Sequence, residues 1–169
     1  ASWTSSDYPD SSWSSGPGLL GFAGSSPQNS VATTTQRYTN GVSGEQVNTT
    51  YFRNTFNLDT TNGITSLMIQ LLRDDGAVIY INGDEITRHN MPTGDIAYST
   101  FSAGITGNDN QTSYHSIEIS DTSSLVAGEN TIALEVHQCN STSSDLYMDL
   151  EFSVVSSSVC ADTVSINEA

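Results

Sequence analysis

The stretch Asn130-Thr-Ile-Ala-Leu-Glu-Val-His-Gln138 decides the fold class, because its large apolar side chains occupy every second position. Ile132, Leu134 and Val136 therefore share one face of an extended chain. The pattern returns in Asp145-Leu-Tyr-Met-Asp-Leu-Glu-Phe-Ser-Val-Val155, where every even-numbered position carries a large apolar residue. A period of two is typical of a half-buried strand in an antiparallel sheet, so both stretches are predicted to be β-strands.

The rest of the chain carries the same kind of signal. Asn82-Gly83, a dipeptide that strongly favours a tight hairpin turn, separates the predicted strands Ala77–Asn82 and Glu85–Arg88. Further strands are predicted over Ser30–Tyr38, Gln46–Leu58 (with Phe52, Phe56 and Leu58 inward), Ile64–Leu72 and Ser113–Ser120. No window of ten or more residues has a helical stripe. Seven or more short strands separated by turn residues predict an all-β, antiparallel two-sheet sandwich.

The charge balance limits the partners of this chain. Its 169 residues carry 4 basic and 19 acidic side chains, giving a net charge of −15, and every basic residue is an arginine. Phosphate backbones and anionic membranes attract clustered cations, so neither nucleic acid nor a membrane surface is an expected partner. No apolar run approaches the roughly 20 residues that span a bilayer, so membrane insertion is not expected either. The composition, rich in Ser and Thr, is typical of a secreted, extracellular protein.

The sequence predicts one sandwich module over residues 1–155, followed over 156–169 by a linker and the start of a further domain. Ser156–Ser158 has the composition of a linker, and another apolar stretch begins at Val164–Ala169. We therefore expect the module to be covalently part of a larger multidomain chain.

Hydrolase motifs are missing from the sequence: there is no Gly-x-Ser-x-Gly and no His-Glu-x-x-His. The chain is therefore not expected to be an enzyme. A polar constellation does arise if the last two predicted strands pair as a hairpin, because their polar side chains then become neighbours. Its members are Glu135, His137, Tyr147, Asp149 and Glu151. Such a face can hydrogen-bond a polyol or hold a hard cation, and the alternative is a solvated sheet surface.

Aromatic residues concentrate at the start of the chain. Trp3, Tyr8 and Trp13 lie beside Asp7 and Asp10. Flat aromatic rings offer apolar area to the face of a sugar ring, and neighbouring carboxylates accept hydrogen bonds from its hydroxyls. The alternative is that both tryptophans plug the open core of the sandwich.

Two acidic or amide-rich stretches are candidates for calcium, which prefers six to eight oxygen ligands. They are Asp74-Asp75-Gly76, at the end of a predicted central strand, and Asn108-Asp109-Asn110. Turn chemistry alone also explains Asp-Asp-Gly. Arg88-His89-Asn90, a cationic cluster, can bind a carboxylated or sulfated sugar or pair with a nearby Asp.

Five further stretches of the sequence belong together: Asp74-Asp-Gly-Ala-Val-Ile-Tyr-Ile-Asn-Gly-Asp-Glu-Ile-Thr-Arg88 with Asn90-Met-Pro, Asn130-Thr-Ile-Ala-Leu-Glu-Val-His137, Ser143-Ser-Asp-Leu146, Trp13 with Gly16-Pro-Gly18 and Gly21-Phe22, and Tyr51-Phe-Arg53. In these stretches the chain resembles the galactose-binding-like jelly-roll modules of secreted bacterial proteins. The closing Val164-Ser-Ile-Asn-Glu-Ala169 looks like the first strand of a lamin-tail-like domain.

The resemblance implies a jelly-roll sandwich that is a non-catalytic, carbohydrate-binding or adhesion module of a larger extracellular protein, with a structural calcium. The residues expected to bind a polysaccharide or glycan are Trp3, Tyr8, Trp13, Arg88, Asn90, His137 and Asp145. The residues expected to hold calcium are Asp74, Asp75 and Asp149. The alternative function is a structural spacer domain of a large surface protein that binds no sugar.

Overall fold

Nine β-strands form the regular structure of the residues that the computed structural model describes, which are 2–22, 31–41, 43–104 and 113–157. The strands are β1 (Leu20–Phe22), β2 (Thr33–Thr34), β3 (Thr49–Leu58), β4 (Ile64–Asp74), β5 (Gly76–Ile81), β6 (Asp84–His89), β7 (His115–Ile119), β8 (Gly128–His137) and β9 (Leu146–Ser156). No helix in these ranges is long and apolar enough to cross a membrane. The predicted linker and following domain fall outside the described residues, apart from positions 156 and 157.

The strands form two sheets. One sheet has the order β2-β1-β9-β4-β7, and the other has the order β3-β8-β5-β6. The short β1–β2 pair is parallel, whereas the other pairs of named strands in the described residues are antiparallel. This order places strands that are distant in sequence side by side, as in a jelly roll. The predicted all-β, antiparallel two-sheet jelly-roll sandwich is therefore confirmed.

The last two strands do not form the hairpin that the polar constellation requires. β8 pairs with β3 and β5, whereas β9 pairs with β1 and β4 in the other sheet. The predicted polar constellation is thereby divided. Glu135 and His137 belong to one sheet, and Tyr147, Asp149 and Glu151 belong to the other. Alternation along a strand reports which side chains share a face, but it does not report which strand lies alongside.

The core lies between the sheets and is built from the alternating residues that the sequence indicates. Leu134 of β8 is 3% exposed and Leu150 of β9 is 8% exposed. The rings of Phe56 and Phe152 meet edge to face with centroids 4.6 Å apart, which joins β3 to β9 across the sandwich. The period-two signal therefore identified the buried face correctly in both sheets.

The outer face of the four-stranded sheet is covered as well. The ring of Trp3 packs on the rings of Tyr51 and Tyr80, with centroids 4.7 and 5.6 Å away. At the end of the same face, the carbonyl oxygens of Tyr98 and Thr100 accept hydrogen bonds from side chains of the sheet. The N-terminal residues and the loop after β6 thus cover a face that the alternating pattern predicts to be exposed to solvent. As a result β8 is buried on both of its faces.

Candidate functional site

A cleft opens at the side of the sandwich, between β3 of one sheet and β9 of the other. Its volume is about 510 Å³. Core side chains of both sheets form its apolar floor, among them Leu134 and Leu150. The aromatic and polar rim consists of Asp10, Trp13, Tyr51, Arg53, Asn54 and Asp149. The cleft therefore combines an apolar base with a small number of hydrogen-bonding groups, as ligand sites commonly do.

The side of the sandwich is open here because β1 pairs with only residues 146–148 of β9. The chain before Leu20 passes from β3, where Asp10 bonds to Arg53, to β9, where Gly18 lies against Asp149, and its residues form one wall of the cleft. Gly18 leaves room for the carboxylate of Asp149, because a Cβ at this position would lie 2.6 Å from Oδ1 and would displace it. The segment and the carboxylate thus share the rim without colliding.

Arg53 holds the N-terminal residues against β3. Its side chain is 3% exposed, and its Nε donates to Oδ2 of Asp10 at 2.9 Å. Its Nη1 donates to the carbonyl oxygens of Trp3 and Ser5. Its guanidinium carbon also lies 5.4 Å from the centroid of the Tyr8 ring. Charge-assisted hydrogen bonds of this kind fix geometry strongly, so the wall is preformed and the cation is already compensated.

Trp13 supplies the flat surface of the site. Its half-buried ring lines the cleft. The ring of Tyr8 supports it from behind in an edge-to-face contact, with centroids 5.8 Å apart and planes at 72°. Pairs in this arrangement are stabilising beyond the area that they bury. Trp13 is therefore held in place with its ring available at the rim.

Asp149 places a carboxylate on the opposite rim. Its Oδ2 accepts a hydrogen bond of 2.6 Å from the hydroxyl of Tyr114, and its Oδ1 accepts from the backbone N–H of Leu150. Burial and then the hydrogen bond to Asp149 raise the pKa of Tyr114 to about 12, so this hydroxyl stays a donor at neutral pH. The remaining lone pairs of Asp149 can accept from a ligand hydroxyl.

A second, shallower depression of about 410 Å³ adjoins the cleft along β3. It shares Trp13 and Tyr51 with the cleft, and Tyr98 forms its far side. Burial, followed by the nearby Glu135 carboxylate, raises the pKa of Tyr51 to about 12. The phenol of Tyr51 is therefore neutral at ordinary pH.

The predicted ligand residues fall into separate places. Trp13 lines the cleft and Tyr8 supports it, whereas Trp3 covers the outer face of the sheet. Neither tryptophan belongs to the buried core cluster, and Trp13 lies at the open side of that core, above residues such as Leu134 and Leu150. Asp145, just before β9, is half-buried and accepts a hydrogen bond from the hydroxyl of Ser144.

Arg88 and Asn90 organise the loop after β6. Arg88 forms a two-armed ion pair with Glu85, at 2.6 and 2.9 Å, and donates to two loop carbonyl oxygens. Asn90 has φ of 54° and donates its amide hydrogens to the carbonyl oxygens of Asp75 and Gly104. Arg88 therefore pairs with a carboxylate, as the alternative interpretation expected, but the partner is Glu85 and not an aspartate.

His137 lies in a buried hydrogen-bond network and is 0% exposed. Its Nδ1 lies 2.7 Å from the carbonyl oxygen of Thr100, and since a carbonyl oxygen only accepts, Nδ1 is the donor. Its Nε2 lies 3.3 Å from Oε2 of Glu135, whose Oε1 accepts from the hydroxyl of Tyr80. Burial and this bond raise the pKa of Tyr80. His137 therefore fastens the loop to the sheet instead of facing an open site.

Asp74 and Asp75 form the corner where the chain crosses from one sheet to the other. They are 1% and 2% exposed, and Oδ2 of Asp75 accepts from the backbone N–H of Cys139 at 2.8 Å. Burial, followed by Asp75, raises the pKa of the Cys139 thiol to about 11. Among the described residues, no three His, Cys, Asp or Glu side chains are grouped to hold a metal ion. Calcium at this corner stays a prediction. Asp149, the third residue expected to hold the ion, lies on the rim of the cleft, which Asp74 and Asp75 do not line. The loop Asn108–Asn110 lies outside the described residues.

Sequence reasoning did not find Tyr51, Asn54 or Tyr98 as site residues. Tyr51 and Asn54 point to opposite faces of β3, yet both reach the rim because β3 is the edge strand. Tyr98 lies 47 residues along the chain from Tyr51 in an irregular loop. No local spacing in the sequence links the three residues. Finding Tyr51 and Asn54 would have required knowing that β3 is an edge strand, and finding Tyr98 would have required knowing where its loop lies.

No family model matches the chain, and no curated protein is significantly similar to it. Solved structures similar to it include α-L-rhamnosidases from Streptomyces avermitilis, solved in complex with L-rhamnose, and from Aspergillus terreus, and a β-glycosidase from Bacteroides vulgatus. Sequence identities are 16%, 18% and 18%, and TM-scores are 0.41, 0.43 and 0.41, respectively. The matches cover 66%, 73% and 88% of this chain but only 9%, 14% and 18% of those chains. A likeness at this level carries no argument about what this chain binds.

At the opposite side of the sandwich, His89 of β6 and His115 of β7 bring their rings to 4.5 Å, joining the two sheet edges. Nε of Arg73 donates to Nδ1 of His89 at 3.0 Å. Burial, then Arg73, then His115 lower the pKa of His89 to about 4. An unfolded histidine titrates near 6.5. Between pH 4 and pH 6.5 the imidazole of His89 is mainly protonated in the unfolded chain but mainly neutral in the folded chain. The free energy of unfolding therefore falls as the pH falls from 6.5 towards 4.

We expect the free energy of unfolding to drop by about 1 kcal/mol between pH 7 and pH 5 on account of His89, a value reduced because the ring is only half-buried. The variant His89→Asn keeps an acceptor for Arg73 but cannot titrate. Its free energy of unfolding should therefore fall by about 1 kcal/mol less between pH 7 and pH 5 than that of the native protein. Urea unfolding of both proteins at the two pH values measures the difference. An equal drop in both proteins would exclude His89 as the cause.

Proposed function

We propose that this domain is a non-catalytic carbohydrate-binding module of a larger extracellular protein, and that it holds a neutral glycan in the cleft between β3 and β9. The observation that carries the proposal is the rim of that cleft. An aromatic wall, Trp13, faces hydrogen-bonding groups of Asp10, Asn54 and Asp149 around an apolar floor.

The chemistry of the rim suits a sugar ring. The C–H face of a pyranose is apolar and packs on an indole ring, while its hydroxyls need acceptors and donors around the edge. The carboxylates of Asp10 and Asp149 accept, and the amide of Asn54 both accepts and donates. The volume of about 510 Å³ lies within the range of small-molecule sites, about 300–1,000 Å³.

The charges favour a neutral glycan over an acidic one. The net charge of the chain is −15. Arg53, the cation at the rim, already bonds to Asp10 and to two backbone carbonyl oxygens. A uronic acid or sulfated sugar would bring a further negative charge beside Asp10 and Asp149 without a free cation at the rim to compensate it.

Affinity electrophoresis against a panel of polysaccharides tests the proposal. We expect retardation by at least one neutral polymer among galactan, arabinogalactan, xyloglucan and mannan, and none by polygalacturonate or a sulfated galactan. The retardation should be lost in the variant Asn54→Leu, which fills the rim with an apolar side chain, and kept in Asn57→Leu, an exposed position on the same strand. Retardation by no neutral polymer would favour the spacer function, and release of reducing ends would favour a hydrolase.

The structural calcium is a separate part of the proposal. We expect a melting temperature that falls on addition of a chelator if an ion is bound at Asp74 and Asp75. An unchanged melting temperature would remove calcium from the proposal. It would leave the glycan site unaffected, because Asp74 and Asp75 do not line the cleft and the carboxylate of Asp149 can accept a ligand's hydrogen bond without an ion.

A further inference from the structure

We propose that the glycan site extends along β3 from the cleft into the shallow depression beside Tyr98, so that the domain binds an extended neutral chain of more than one sugar unit. This inference rests on the proposed function. Its basis is that the two hollows are neighbours on one strand and share the same aromatic residues, Trp13 and Tyr51.

β3 sets the direction and the length of the combined site. Residues 51–55 of β3 line the cleft, and residues 49–51 line the depression. A strand rises roughly 3.3 Å per residue, so the six steps from residue 49 to residue 55 span about 20 Å. That length exceeds a single sugar ring. A ligand that reached both hollows would therefore be an oligosaccharide, crossing the position of Trp13 and Tyr51.

The depression has the chemistry of a subsite for a neutral sugar. None of the described residues that line it carries a charged side chain. Its far side is the ring of Tyr98, which is 42% exposed and so leaves a large part of its surface to a ligand. The remaining lining side chains are mainly hydroxyl and amide groups that bond to sugar hydroxyls, such as Gln36, Thr39 and Thr50.

The depression is also preformed. The carbonyl oxygen of Tyr98 accepts a hydrogen bond of 2.7 Å from the buried hydroxyl of Thr49, and the phenol oxygen accepts from the backbone N–H of Asn48 at 3.3 Å. Both bonds tie the loop to the start of β3. A ligand therefore meets Tyr98 already in place, which lowers the entropic cost of binding.

The probe is the neutral polysaccharide that retards the protein in the panel above, cut by partial acid hydrolysis into oligosaccharides of increasing length. Isothermal titration calorimetry measures each length against the native protein, Tyr98→Ala and Tyr98→Phe. We expect the affinity of the native protein to rise by about tenfold beyond a single sugar. Tyr98→Ala should abolish that rise while leaving the affinity for the shortest ligand unchanged, and Tyr98→Phe should restore it because the ring remains.

The two proposals fail in different ways. An affinity that does not depend on length, or a rise that Tyr98→Ala leaves intact, would overturn the extended site while the cleft still binds. Binding of no polysaccharide in the panel would overturn the proposed function and the extended site with it. Equal melting temperatures of Tyr98→Ala and Tyr98→Phe would show that a difference in affinity between them comes from the lost ring.

Discussion

Replacing Trp13 with alanine is expected to weaken binding of the neutral glycan by about 100-fold, which corresponds to about 2.7 kcal/mol. Losses of this size are typical of an aromatic residue at the centre of a binding site. Trp13 lines both the cleft and the adjoining depression, so its removal takes the apolar wall from both. Affinity electrophoresis and calorimetry with the retarding polysaccharide measure the effect.

The loss should come from the missing ring and not from unfolding. Trp13 is half-buried, and Arg53 holds the N-terminal residues through Asp10, Trp3 and Ser5, without using Trp13. We therefore expect the free energy of unfolding to fall by no more than about 1–2 kcal/mol. Far-ultraviolet circular dichroism and urea unfolding of the variant check this expectation.

Phe101→Ala is the matched control. Phe101 is another aromatic residue within reach of solvent, 36% exposed, but it lines neither the cleft nor the depression. Its removal should leave glycan affinity within about twofold of the native value. A similar loss of affinity in both variants would mean that the glycan contacts aromatic side chains without regard to their place on the surface. Full affinity in Trp13→Ala would mean that the glycan does not bind at the cleft.

The sequence contained enough information for the fold class and the buried face. Ile132, Leu134 and Val136 alternate with their neighbours, and this local pattern follows directly from the geometry of a strand. The pairing of β8 with β3 and β5 was not predictable in the same way. Partners of a strand in a jelly roll come from distant parts of the chain, and no local signal specifies them. For the same reason the sequence did not show that the last two strands belong to different sheets, which divides the polar constellation.

The candidate site was predictable only in part. Trp13 and Asp149 were singled out by residue type, but nothing in their spacing of 136 residues indicated that they share one cleft. At His137 the prediction was wrong: the sequence analysis grouped this residue with a polar surface, whereas the structure buries it. It is buried because the loop after β6 folds over the sheet, and an irregular loop gives no periodic signal of where it will lie.

Asn130→Ala is expected to lower the free energy of unfolding by about 3–5 kcal/mol, a large part of the 5–15 kcal/mol that stabilises a typical domain. Asn130 is 0% exposed. Its Oδ1 accepts from Nδ2 of Asn82 and from the N–H of Val126, and its Nδ2 donates to the carbonyl oxygens of Val126 and Gly128. All four hydrogen-bonding positions of the amide are used. Alanine would leave each of these partners without its bond in a part-buried place.

These bonds join three separate elements, which is why no neighbouring group can replace them. Asn82, at the β5–β6 turn with φ of 52°, also accepts from the backbone N–H of Thr131 and donates to the carbonyl oxygen of Ser124. The pair of asparagines thus fastens the hairpin turn, the start of β8 and the loop before it. Urea unfolding should show the loss of stability in Asn130→Ala and almost none in Asn57→Ala. Asn57 is an exposed asparagine of β3 that pairs with Glu129, the residue before Asn130. A loss below about 1 kcal/mol in Asn130→Ala would show that water satisfies these groups when the amide is removed.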